Sequence, residues 1–225
     1  MTITTTLENN SRSLSDRLID EGASDMSDAE LLSLFINRKG ELSSLERAQT
    51  LLKSLPLIKL FRNPHSAEFR ALGLSKKQLT QIQAGMELAK RSVAARMQGV
   101  DALTNPSDVR DYLALQMTGH EDEQFSVLFL SNRHVPIAFE TVAFGTIDCA
   151  SVFPRTIVKK CLAYNAAACI LAHNHPSGVS SEPSDTDVRL TKKLVDALAL
   201  IDVRCLDHFV YAQGISTSLA ERGLM

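Results

Sequence analysis

Leu171-Ala172-His173-Asn174-His175-Pro176-Ser177-Gly178 closes an apolar run that starts at Ala168. The length and branched residues of "ACILAH" predict a buried strand, and Pro176 biases His175 away from helix and ends the element. On extended backbone His173 and His175 point to one side and Asn174 to the other. Two imidazoles on one side of a strand end either satisfy local hydrogen bonds or form two corners of a metal site. In the second case the rest of the chain must supply the remaining corners.

Strand-like runs and helices surround this stretch. Before it come "QFSVLFLS", a turn at Asn132-Arg133-His134, "VPIAFETVAFG" and a helix opened by Pro154. After it come a helix from about Asp185 and the strand-like runs "VRCLDHFVYA" and "ISTSLA". This order predicts an α/β or α+β domain over 107–225, with Pro106-Ser107-Asp108 opening its first helix. Residues 98–106 read as a turn-rich linker. Residues 11–97 read as a small all-helical domain: Ser27-Asp28-Ala29-Glu30 is a capping box, Ser43-Ser44-Leu45-Glu46 starts another helix, and a turn at Gly73 precedes a long helix from about Lys76. Residues 1–10 are expected to fray.

Composition narrows the class. Of 225 residues, 44% are apolar and 22% charged, as in ordinary globular proteins. No stretch is long enough to span a bilayer and "MTITTTLENN" lacks the marks of a signal peptide, so a cytoplasmic protein without a membrane partner is expected. Cys149, Cys161, Cys169 and Cys205 show no C-x-x-C spacing and read as small buried hydrophobes. The net charge of -2 hides a split, with 14 Lys/Arg against 11 Asp/Glu in residues 1–98 and 10 against 15 in the remainder. That surplus is too small to argue strongly for nucleic acid.

A metal held by two imidazoles also wants an oxygen donor. Ser184-Asp185-Thr186-Asp187 heads the next helix, where Ser184 can cap and the acids face the positive end of the helix dipole. Asp187 can do this and also serve as third ligand, with Asp185 as an outside candidate. Two histidines and one carboxylate leave one position open on tetrahedral zinc, the composition of a hydrolytic rather than a structural site. A base must still move the proton of the attacking water. Glu121, Asp122, Glu123 and Glu140 all qualify by residue chemistry.

His173-x-His175-Pro176-Ser177-Gly178 with Ser184-x-x-Asp187 resembles the metal signature of the JAMM/MPN+ metalloproteases. More closely, "FGTIDCASVFPRTIVKKCLAYNAAACILAHNHPSG" and "LTKKLVDALALIDVRCLDHFV" resemble the bacterial RadC family. The likeness is strong over about 100–225 and looser over 12–97. It implies a JAMM/MPN-like mixed sheet with flanking helices, and one zinc ion held by His173, His175 and Asp187. It also implies Glu123 as catalytic base and Ser184 as donor to the oxyanion. The function so implied is zinc-dependent hydrolysis of an amide or peptide bond by metal-activated water, on an unidentified peptide or protein substrate. The loop from His175 to Asp187 is one residue longer than is usual in RadC-like sequences.

Two rival readings stand beside it. One is a DNA-associated repair accessory or metal-dependent nuclease, with weak DNA contact through the N-terminal domain. The other is an inactive MPN-type protein-interaction module. The hairpin "ALGLSKKQLTQI" resembles a degenerate helix-hairpin-helix, because only Gly73 is present where two glycines are expected. His208 reads as a satisfied core histidine or as a support for a ligand, with Asp207 as its partner. His65, His120 and His134 read as surface residues, and Asn174 as a tether bonding backbone groups.

Overall fold

The computed structural model describes residues 12–54, 57, 60, 67–97, 99, 101, 106–117, 120, 122–145, 152–176, 180–212 and 214–225. The expected tail at 1–10 lies outside them, and of 98–106 only 99, 101 and 106 are described. The chain divides into two compact units, Met1–Ala84 and Gly85–Met225.

In the first unit the described helices are α1 (Leu14–Glu21), α2 (Asp28–Ser33), α3 (Ser44–Ser54), α4 (Ala67–Ala71) and the opening turns of α5 (Lys76–Met97). Serine starts several of them in the same manner. Ser27 and Glu30 cap each other's backbone, as do Ser43 with Glu46 and Ser75 with Gln78. Leu32, Ile36, Ala48, Leu51, Phe69, Leu74, Leu79 and Ile82 form the core. Gly73 takes φ +82, which glycine adopts without strain, and its carbonyl accepts from the largely buried Arg47 at 2.9 Å.

The division falls inside α5, earlier than the turn-rich stretch expected to separate the domains. Side-chain burial explains the difference. Leu79 and Ile82 join the first core, whereas Met97 near the other end of the same helix joins a core of the second unit.

The second unit is built on a five-stranded sheet ordered β2-β1-β3-β4-β5. Its strands are β1 (Gln124–Leu130), β2 (Pro136–Phe144), β3 (Ala168–Asn174), β4 (Arg204–Ala212) and β5 (Ile215–Ser218). Among the described strands only β3 and β4 pair in parallel, joined by the crossover helix α8 (Asp185–Ala199). The central strands β1 and β3 are buried along their whole length, as continuous apolar runs require when both faces are covered.

Alternation assigns the faces. Phe125, Val127, Phe129, Cys169 and Leu171 pack with Ile157 and Cys161 of α7 (Pro154–Ala163) and with Leu190, Leu194 and Leu198 of α8. Leu128, Leu130, Ile170 and Ala172 pack on the other face against Val109, Leu113 and Met117 of α6 (Pro106–Met117). His173 is two residues beyond Leu171, so it faces α8. Cys161 and Cys169 are buried free thiols and Cys205 is partly covered, whereas Cys149 lies outside the described residues. Among the described residues no helix is long and apolar enough to cross a membrane.

Candidate metal centre

The site lies where β3 ends and α8 begins. A parallel crossover brings the carboxyl end of its first strand next to the start of its helix, a common place for ligands in α/β folds. Ser184 caps α8: its Oγ accepts from Asp187 N at 3.2 Å, and Asp187 Oδ2 accepts from the Ser184 amide at 2.8 Å and hydroxyl at 2.7 Å. The extra loop residue therefore leaves the helix start intact. Ser177–Val179 of that loop lie outside the described residues.

Asp187 is 3% exposed and is turned inward to the histidines. His173 Nε2 and His175 Nε2 approach to 3.1 Å. Asp187 Oδ1 lies 3.5 Å from His173 Nε2, and Asp187 Oδ2 lies 3.9 Å from His175 Nε2. Glu123 Oε1 stands 3.9 Å from His175 Nε2. Glu123, His173 and His175 present ligand atoms that all lie within 4.8 Å of one another. The structure thus brings Glu123, His173, His175 and Asp187 together, and Ser184 to hydrogen-bond distance of Asp187.

The other acids are accounted for. Asp185 is exposed and, among the described residues, makes no hydrogen bond or ion pair with the imidazoles. Glu140 accepts from Lys160 and from the Tyr164 hydroxyl, which holds its carboxyl below the usual range. Asp122 is exposed, and Glu121 lies outside the described residues.

Backbone contacts fix the approach of each group. Asn174, pointing away from the histidines, accepts from Gln124 N at 2.7 Å and donates to Asp122 O at 3.3 Å. It therefore grips the chain on either side of Glu123, and the tether expected from the sequence acts on that glutamate's segment. The His175 amide donates to Tyr211 O at 2.7 Å. His175 Nδ1 lies 2.9 Å from the Ser180 carbonyl, which can only accept, so Nδ1 carries the hydrogen.

His208 is the core histidine expected, with other partners, and two further histidines are more covered than expected. His208 is fully buried, and its ring does not bond Asp207. Asp207 instead accepts from the His208 amide, the Ser218 hydroxyl and the Ala220 amide. The ring touches His173 Nδ1 at 2.8 Å and Thr191 Oγ1 at 2.6 Å. Thr191 was not singled out by sequence reasoning, although its place one turn beyond Asp187 on the helix was a usable signal. His120 and His134 are half-covered rather than fully exposed, bonded to Gln116 O and to Arg204 respectively. His65 lies outside the described residues.

Burial sets the charge state of the pair. It pulls His173 down to about 4, opposed by the Asp187 carboxylate and reinforced by His175. Burial lowers His208 well below its ordinary value, with His173 and His175 adding to the effect. At neutral pH the His173–Asp187 contact therefore joins a neutral imidazole to a carboxylate and is no ion pair.

A mixed five-stranded sheet between helices, with a His-x-His strand end facing a helix-borne aspartate, defines a JAB/MPN-type domain. A family model described as a RadC-like JAB domain matches residues 103–224. The chain is 46% identical over 213 residues to a "UPF0758 protein" of Stutzerimonas stutzeri, covering 93% of this chain and 94% of that one. It is 46% identical over 211 residues to a "UPF0758 protein" of Cellvibrio japonicus, with 92% and 93% covered. The chain belongs to the RadC-like JAB domain family, as its signature stretches indicated.

The donor set fits a single ion. Zinc bonds of about 2.0–2.1 Å place tetrahedral ligand atoms about 3.3–3.4 Å apart. The His173–His175 separation of 3.1 Å and the separation of 3.5 Å between Asp187 Oδ1 and His173 lie close to that spacing, whereas the 3.9 Å to His175 belongs to the other Asp187 oxygen, Oδ2.

Proposed function

We propose that the chain is a zinc-dependent hydrolase of an amide or peptide bond, with zinc held by His173, His175 and Asp187. The observation that carries this is the meeting of two imidazole nitrogens 3.1 Å apart with the buried carboxylate of Asp187 beside both. Asp187 is preferred over Glu123 as third ligand because it contacts both imidazoles and is almost fully buried. Glu123 lies 3.9 Å from His175 Nε2, and its side chain keeps 18% of its exposure against 4% for Asp187, which leaves it open to water. Zinc in this position supplies Lewis acidity and lowers the pKa of water toward neutrality.

The chain's own groups then divide the work. Glu123 accepts the proton of the attacking water and returns it to the leaving nitrogen. Ser184 donates its hydroxyl to the oxygen of the scissile carbonyl, after turning from Asp187 Oδ2. Nitrogen-rich ligation of one ion supports amide chemistry over phosphodiester cleavage, which more often uses hard ions in pairs.

Elemental analysis of the purified full chain tests the metal, with one zinc per chain expected and a zinc-free protein overturning the reading. Glu123→Gln is expected to retain zinc while losing cleavage of any peptide that the wild type hydrolyses in a mixed library. If that variant loses its zinc, Glu123 is a ligand and the assignment of the base fails.

A further inference from the structure

We propose that His208 and Thr191 are positioning residues that lock His173 in the tautomer whose Nε2 lone pair faces the metal position. The proposal rests on the zinc reading above and names residues outside the ligand set.

The direction of each proton follows from what each atom can donate. Thr191 Oγ1 lies 2.6 Å from the Asp187 carbonyl oxygen, which only accepts, so the hydroxyl's single proton points there. The same Oγ1 lies 2.6 Å from His208 Nδ1. With its proton committed it accepts, and His208 Nδ1 carries the hydrogen. His208 is fully buried beside a second imidazole, an environment that disfavours a charged ring. A neutral imidazole with hydrogen on Nδ1 accepts at Nε2. His208 Nε2 lies 2.8 Å from His173 Nδ1, so His173 donates. Its Nε2 is left with a bare lone pair.

The Ser180 carbonyl imposes the same tautomer on His175. Two nitrogen lone pairs therefore face each other across 3.1 Å beside a carboxylate, an arrangement that a cation relieves. The hydrogen bonds also form a chain that ends beside its starting residue. It runs from the Asp187 carbonyl through Thr191 and His208 to His173, whose Nε2 lies 3.5 Å from the Asp187 carboxylate, with both atoms free to accept or to ligate. A ligand on the strand and a ligand on the helix are thereby held in one register by two side chains that touch no ion. Asp207 cannot replace either of them, because its oxygens serve the His208 amide, Ser218 and Ala220.

Long-range 1H–15N spectra of the chelator-treated full chain read imidazole tautomers directly. His173 and His208 are both expected to carry hydrogen on Nδ1, and hydrogen on His173 Nε2 overturns the proposal. In competition with a chromophoric chelator, Thr191→Val is expected to lower zinc affinity roughly 10-fold to 100-fold, the range seen when outer hydrogen-bond partners of ligands are removed. Thr191→Ser keeps the hydroxyl and is expected to bind zinc as the wild type does. A valine variant with wild-type affinity, or a serine variant as weak as valine, overturns the proposal. If the valine variant does not fold, the wild-type spectrum decides alone. A wild-type chain without zinc affinity overturns the metal reading and this proposal with it, whereas unaltered affinity in the variants overturns only the proposal.

Discussion

Asp187 divides its carboxylate between two neighbours. Oδ2 accepts from Ser184, and Oδ1 is the oxygen nearest His173. A residue that caps a helix and reaches a ligand position at once cannot be assigned from spacing alone, since Asp185 shares the same helix start. Burial decides between them, because only Asp187 is withdrawn from solvent. An amide at 187 still offers an oxygen to Ser184 but not the negative charge that a divalent ion requires. Asp187→Asn is therefore expected to keep most of the chain's stability and to lose at least the roughly 10–100-fold in zinc affinity that outer partners alone command. Asp185→Asn should leave zinc affinity unchanged. Equal losses from the two variants, read by chelator competition, would refute the choice of Asp187.

Helix α8 carries that aspartate to the strand end, and its packing sets how well the two meet. Leu190, Leu194 and Leu198 recur every fourth residue and are buried, while Lys192, Lys193 and Asp196 face solvent. The periodicity predicts this helix, and the serine cap predicts its first turn. Leu194 is fully buried against the sheet. Leu194→Ala leaves a cavity and is expected to destabilise the chain by about 2–5 kcal/mol. Urea denaturation with zinc removed checks the figure, and an unmoved midpoint would mean that the helix does not pack as described. Thr191 lies between two of these leucines and reads from sequence as a tolerated polar residue. Only its neighbour on β4, His208, gives it a task.

At the scale of the whole chain, two buried neutral histidines bias the response to acid. The folded-state pKa of His173, about 4, lies below its ordinary 6.5, so the unfolded chain takes up the proton first as pH falls. Stability is thus lost as pH drops below about 6.5, with a slope approaching about 1.4 kcal/mol per pH unit for each such histidine, and the His173 contribution levels off below about 4. His208 acts in the same direction. Urea midpoints of the chelator-treated protein should fall across that window, and a pH-independent midpoint would contradict the burial of the pair.

The sequence by itself determined the local pieces: the runs that become β1 to β5, the serine-capped helices, and the His-x-His spacing that turns two imidazoles to one side. Each depends on periodicity or on contacts within a few residues, which a linear pattern records. Its strong signature also marked the family and named Glu123. The tertiary structure alone decided that α5 straddles the two units. It also decided that Asn174 grips the chain around Glu123, and that His208 answers to Thr191 and His173 rather than to Asp207. Those outcomes depend on which side chains meet across neighbouring strands and helices. His173 and His208 are 35 positions apart in sequence, and their rings come together only because β3 and β4 pair in parallel with α8 laid across them.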